Sequence, residues 1–303
     1  MRIIDAHCDT LLAAVETKQT LCDNELQVDL RHMPSGSLQF FAMFLSPSYD
    51  REKALAYEES MVQLFFSEVK NLRMTAVLEQ KDLDEKGVSG ILSCEGLSHL
   101  HGDVEGIRAL YARGVRSLSL TWNRDNEFSG GAAGDKMQGL TMKGREALRM
   151  VEDLGILLDV SHLSDQGFYD ACGMSEKPFI ASHSNARGVC SHPRNLDDGM
   201  IKALAGAGGV MGINVYGSFL KDSPPVGIGD VVRHIEYVCG LVGAEHVGFG
   251  SDFDGIPRDH SALADTRGWM DVVRELERLN YSPEDIGRIA GGNYVRVLRN
   301  VIK

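Results

Sequence analysis

Short apolar runs alternate along the chain with longer stretches of helical spacing. The runs are Arg2–Ala6, Leu38–Leu45, Gly90–Cys94, Val115–Thr121, Ile156–Val160, Pro178–Ser182, Val210–Val215 and Val247–Gly250. Each has the length of a strand. Most lack the alternating polar residues of a strand wetted on one face. Continuous apolar strands belong to a parallel sheet covered on both faces. Between the runs, Ile107, Leu110 and Tyr111 recur at i, i+3, i+4, and so do Ala147, Met150 and Val151. The stretches 51–70, 195–206, 228–242, 264–279 and 283–299 also read as helices. Gly114, Gly155 and Gly206 stand between a helical stretch and a following run, where a left-handed cap is wanted.

Eight strand–helix units predict a (β/α)8 barrel, of the TIM-barrel class. No linker-like stretch divides the chain, so residues 1–303 are read as one domain. A doubly wound open sheet is the alternative. It wants a glycine-rich phosphate loop after its first strand, and here the first run leads into His-Cys-Asp with no glycine.

The composition narrows the partners. With 43% apolar and 24% charged residues, the chain is neither disordered nor fibrous. A net charge of −12 repels phosphate backbones, so a nucleic-acid partner is not expected. No apolar run approaches the ~20 residues of a membrane span. Asp5, His7 and Asp9 interrupt the region where a secretory signal needs its apolar core. No lipidation motif is visible, and the six cysteines form no C-x-x-C pair. The expectation is a cytoplasmic protein with reduced thiols and no membrane attachment.

The chemistry lies where polar residues meet the runs. His7 and Asp9 follow the first run, Glu95 the third, His162 the fifth, His183 the sixth and Asp252 the eighth. In a barrel, those strand ends converge on the face where active sites sit. Imidazole with carboxylate suits zinc, manganese, cobalt or iron. The strand period points His7 and Asp9 to one side and Cys8 to the other. Three histidines and three carboxylates exceed the needs of one tetrahedral ion, and two divalent ions sharing a carboxylate would use them all. Each residue alone has a plainer reading. A histidine after a strand is usually a hydrogen-bonded loop residue, and that reading is kept for His32, His99, His101, His192, His234, His246 and His260. Asp254 reads as a turn or supporting residue, and Cys8 and Cys94 as packing. The conjunction at five strand ends carries the metal reading.

The pieces D-A-H-C-D, S-C-E-G, L-G-I-L-L-D-V-S-H, P-F-I-A-S-H-S-N-A-R, H-P-R-N-L-D-D and G-S-D-F-D-G occur in that order. With them, the chain resembles the membrane (renal) dipeptidase family of zinc peptidases, in its short bacterial form, over nearly its whole length. The resemblance implies a dipeptidase with two zinc ions. His7 and Asp9 would hold the first ion, and His162 and His183 the second. Glu95 would bridge the two. Asp252 would lie beside the first as proton shuttle or weak ligand. Arg194 matches the arginine that binds the substrate carboxylate, a task suited to a guanidinium fork. Tyr216 matches a tyrosine near that carboxylate. The implied substrate is a dipeptide, with a D-residue allowed at its C terminus, and a homodimer is the family expectation. Where mammalian members carry a substrate-facing histidine, this chain has Trp122. Asn123 beside it is the alternative donor for the scissile carbonyl oxygen. Two rivals stand at this point: another amide, lactone or ester hydrolase on the same barrel, and a catalytically silent metal-binding barrel.

Overall fold

The computed structural model describes residues 1–303. Nine strands are present: β1 (Ile4–Cys8), β2 (Leu38–Phe44), β3 (Thr75–Ala76), β4 (Ser89–Glu95), β5 (Val115–Ser119), β6 (Leu157–Asp159), β7 (Ile180–Ser184), β8 (Val210–Ile213) and β9 (Val247–Phe249). All pairings are parallel. The order β2-β1-β9-β8-β7-β6-β5-β4 closes on itself through a β2–β4 ladder, and the two-residue β3 lies on the edge of β4. This is the eight-stranded TIM barrel predicted from the runs, with one small strand that its two residues left invisible.

Three of the strands, β1, β4 and β7, end later than their apolar runs suggest, and the others end one or two residues earlier. His7 lies inside β1, Glu95 ends β4 and His183 lies inside β7, because ladder pairing continues past the last apolar residue. Asp5 faces outward to Trp269, yet His7, two residues on, faces the axis. The register of β1 against β2 shifts between Asp5 and Cys8, and such an irregularity re-aims a side chain. β7 shifts in the same way between Ala181 and Ser184, around His183.

Helices at 51–70 and 228–242 match their predicted bounds. Those at Thr10–Thr17 and Asp165–Met174 lie outside the stretches read as helical by their spacing. The first is short, and the second carries Gly167 and Gly173. The 283–299 stretch is two helices, Pro283–Gly287 and Asn293–Val301, joined by a wide turn whose Gly291 packs against Ile4. Gly114 and Gly155 do take positive φ, but Gly206 does not: the helix runs through it, and Gly208, at φ +75°, makes the reversal.

Apolar side chains fill two layers. Ile4, Ala6, Leu38, Phe40, Ile91, Leu157, Ile180 and Val210 line the lower barrel, where Tyr294 and Leu298 of the C-terminal helix plug it. A larger cluster packs the helices against the outer face. Two seams are thin. β1 meets β9 through the single pair Asp5–Phe249, and β6 meets β7 through Asp159–Ile180. A buried carboxylate bridges each. Asp5 Oδ1 accepts the N–H groups of His7 (3.3 Å) and Ser251 (2.8 Å). Asp159 Oδ1 accepts those of Ser161 and Ser182, both at 2.9 Å. These contacts satisfy donors that the diverging strands no longer pair.

Candidate metal centre and active site

At the C-terminal mouth of the barrel, Glu95 Oε1 lies 2.9 Å from His162 Nε2, 3.5 Å from His183 Nε2 and 3.8 Å from His7 Nε2. The Nε2 atoms of His162 and His183 are 2.8 Å apart. Asp9 Oδ2 is 3.4 Å from His7 Nε2. Asp252 joins His7 and Asp9 in a second cluster, whose ligand atoms all lie within 4.8 Å of one another. The six residues picked from five strand ends therefore meet in one place.

Their orientation is fixed from behind. His162 Nδ1 is 2.8 Å from Asn123 Oδ1. His183 Nδ1 is 2.6 Å from Ser182 Oγ, which itself reaches Asp159 Oδ2 at 2.5 Å. An amide oxygen behind one ring, and a hydroxyl engaged with a carboxylate behind the other, place the ring protons on Nδ1. The Nε2 lone pairs are then turned inward. Asp252 Oδ2 accepts from Asn214 Nδ2 at 2.9 Å, and Asn214 is held by paired hydrogen bonds to Asn185. His162 and Asp252 sit at φ +70° and +67°, a conformation that non-glycine residues adopt at a cost and that clusters at functional sites. Gly255 crosses directly over the Asp9 and Asp252 carboxylates, where a Cβ would fall 2.8 Å from Asp252 Oδ1 and collide with Asp9 Oδ2.

The donor set fits divalent ions. Two imidazole lone pairs and a carboxylate oxygen crowd within hydrogen-bond distance with no proton among them to share. The buried His7 Nε2 has no hydrogen-bond partner at all. Burial pushes the His7 imidazole down, yet Glu95, Asp9 and Asp252 outweigh it and hold it up at about 10. Burial also raises Asp9, Glu95 and Asp252 above the ordinary carboxylate range, and for Asp9 and Asp252 the nearby Glu95 adds to it. Burial lowers His162 and His183, with Arg194 and His7 adding to the effect. So concentrated a negative site calls for cations. His7, Asp9, Glu95, His162, His183 and Asp252 are the residues that would hold them.

A cavity of about 380 Å³ opens above the cluster. Arg194 lines it from the loop after β7. It is buried, not a surface cap of the following helix. Its Nη2 donates to His183 O at 3.2 Å, its guanidinium lies 5.6 Å from the Phe219 ring, and its Nε has no partner. Tyr216 follows β8 and packs edge-on against Phe219 at 4.8 Å. Trp122 lies 5.1 Å from Phe44 and 6.3 Å from His162, forming part of the cavity wall. Asn123 also lines the cavity, but its carbonyl is committed to His162. Asp254 receives Thr10 Oγ1 (2.6 Å) and the Gln27 N–H (2.9 Å), a clasp from its loop to the first helix and the loop that follows it.

None of the histidines read as ordinary joins the cluster. His234, for example, bridges the Ala186 N–H and Leu220 O. All six cysteines are free thiols, and Cys8 and Cys94 are buried. The sequence reading passed over Asp5, Asp159, Ser182, Asn214 and Gly255. A charge inside an apolar run was the available signal for the first two, since an unpaired charge there is costly.

The family model for membrane dipeptidase (peptidase family M19) matches residues 1–303, and the chain belongs to that family. It is thereby a hydrolase of the metal-dependent dipeptidase class on the TIM barrel that the family's solved members share. A Klebsiella pneumoniae protein, described as an uncharacterized protein in the pqqA 5' region, is 34% identical over 231 residues, 72% of this chain and 84% of that one. The dipeptidase aclJ of Aspergillus oryzae is 32% identical over 218 residues, 71% of this chain. The chain spans about half the length of that fungal relative, the match covering 52% of it. A metallopeptidase from Rhodobacter sphaeroides, solved with a phosphinate mimic of the dipeptide L-Ala-D-Ala, superposes with a TM-score of 0.89 at 26% identity over 99% of both chains. No helix of the chain is long and apolar enough to cross a membrane.

Proposed function

We propose that this protein hydrolyses the peptide bond of dipeptides, including those with a C-terminal D-residue, using two zinc ions held as the cluster suggests. One observation carries the reading: a buried arginine with a free Nε and a cluster of inward-turned metal ligands face the same small cavity. The phosphinate dipeptide mimic in the Rhodobacter sphaeroides relative supports a dipeptide substrate here. When bound, a pair of divalent ions supplies an activated water near neutral pH and polarises the scissile carbonyl.

The chain's own residues do the rest. Arg194 takes the substrate's C-terminal carboxylate through its fork and sets the distance from that end to the scissile bond. That spacing favours dipeptides over longer chains. Asp252, oriented by Asn214, takes the proton of the attacking water and passes it to the leaving amine. Asn123 and the Asp159–Ser182 pair keep His162 and His183 in the tautomer that presents Nε2. Trp122 with Phe44 forms an aromatic wall beside the scissile bond, and Tyr216 closes the carboxylate end.

The test combines metal analysis with a panel of L-L and L-D dipeptides. The expected result is two divalent ions per chain and turnover that needs them. Glu95→Ala should lower occupancy of both sites and abolish turnover. Full occupancy and activity in that variant would overturn the binuclear reading.

A further inference from the structure

Six carboxyl or guanidinium side chains line the cavity: Asp9, Glu16, Glu95, Arg194, Asp252 and Asp254. Five are accounted for. Asp9, Glu95 and Asp252 belong to the metal cluster, Arg194 faces the substrate carboxylate, and both oxygens of Asp254 are engaged by Thr10 and Gln27. Glu16 alone enters no ion pair and no side-chain hydrogen bond. It stands in the last turn of the Thr10–Thr17 helix, on the face that also gives the cavity Leu12 and Ala13. A carboxylate there runs against the helix dipole, which favours cations at that end, and no basic residue shares the turn. Local rules broken in this way point to a residue kept for something else.

Distance defines what it meets. Glu16 is seven residues beyond Asp9, which puts it about 10 Å further along the helix axis. The α-ammonium of a dipeptide lies only about 2.5 Å from its scissile carbonyl carbon and stays near the metal cluster. The end of a lysine or arginine side chain on the same residue reaches about 6 Å beyond its Cα, and the glutamate side chain covers the remainder. Arg194 and Glu16 line the same cavity, and Glu16 is the one carboxylate in it without a partner.

We infer that Glu16 is a specificity determinant that selects dipeptides whose N-terminal residue bears a long cationic side chain. This rests on the dipeptidase reading above. The test measures kcat/KM on the zinc-loaded protein with lysyl-alanine and norleucyl-alanine, which match in length and differ in charge. The wild type should prefer the lysyl substrate by about 1.5- to 5-fold, the range for a solvated ion pair, and the preference should shrink in high salt. Glu16→Gln should bring the ratio close to one, and Glu16→Lys should invert it. A wild-type ratio of one or below, or a ratio unmoved by Glu16→Gln, overturns the selectivity and leaves the dipeptidase reading standing. Cleavage of neither substrate, nor of any other dipeptide by fully loaded protein, overturns both.

Discussion

Gly255→Ala tests whether the mouth of the barrel is built around the carboxylates beneath it. The added Cβ would overlap Asp9 Oδ2 and lie 2.9 Å from the Asp9 carboxyl carbon. Relief needs a displacement of about 1 Å, judged against ordinary van der Waals separations. Asp252 Oδ1, at 2.8 Å, blocks one direction, and the backbone at Asp9 is tied to Phe253 O. The Asp9 carboxylate therefore moves off its line to His7, and a misplacement of about 1 Å at a catalytic centre costs about 100-fold in rate. That corresponds to about 2.7 kcal/mol of transition-state stabilisation. Overpacking adds about 1–3 kcal/mol of lost stability. The control is Gly229→Ala, where the new Cβ meets nothing within 4 Å and the helix gains a better former. The measurements are zinc content after dialysis against a metal buffer, kcat/KM on an alanyl dipeptide, and the thermal midpoint. Gly255→Ala should lose metal and at least about 100-fold in kcat/KM, while Gly229→Ala matches wild type in both. Full metal content and kcat/KM within about threefold of wild type would refute the steric argument.

Three further outcomes follow from the same geometry. Arg194→Ala and amidation of the substrate's C terminus should each lower kcat/KM, and the two losses should not add, because they break one pair; additive losses would place Arg194 elsewhere. Ser182→Ala removes the hydroxyl between Asp159 and His183, so zinc affinity by competition with a chelator should fall about 10- to 100-fold, and unchanged affinity would make the contact incidental. His234 is buried with Nδ1 accepting the Ala186 N–H and Nε2 donating to Leu220 O, and burial lowers it to about 4. The unfolded chain then binds the extra proton first, so stability is full above about pH 6.5 and falls by about 1 kcal/mol per unit down to about pH 4. Urea melts at pH 7 and pH 5 should show a smaller difference in His234→Gln than in wild type, and equal differences would exclude His234 as the cause.

The barrel was legible because its strands are buried on both faces and announce themselves as apolar runs. Thr75–Ala76 was not, because two residues carry no pattern. The cluster at the mouth was legible because His7, Asp9, Glu95, His162, His183 and Asp252 each stand where an apolar run stops. What holds them was harder to see. Ser182, Asn185 and Asn214 are common residue types, and what they reach, Asp159, Asn214 and Asp252, lies 23 to 38 positions away. Asn123 was expected to face substrate, and only the fold shows its oxygen turned to His162. Gly255 reads as half of an Asp-Gly turn. Its meaning comes from Asp9, at the other end of the chain.

The thin seam between β1 and β9 has a consequence for how the protein is made. Its bonds join residues up to 246 positions apart: Ser251 to Asp5, Ser251 Oγ to His7 O, Asp252 N to His7 O, and Asp9 N to Phe253 O. Every other neighbouring pair in the ring joins strands close in sequence, but this one joins the first strand to the last. His7 and Asp9 sit on one lip and Asp252 on the other. Five of the six candidate ligands precede Asp252 in the chain, so on the proposed reading the set is completed only when the last strand closes the ring, and ring closure and metal loading would be linked. On that reading, an occupied centre would act as a latch across the youngest joint in the molecule. The amides of His7, Asp9, Ser251 and Asp252 should then be the first to exchange when a chelator strips the protein, well before the β2–β4 side of the barrel opens.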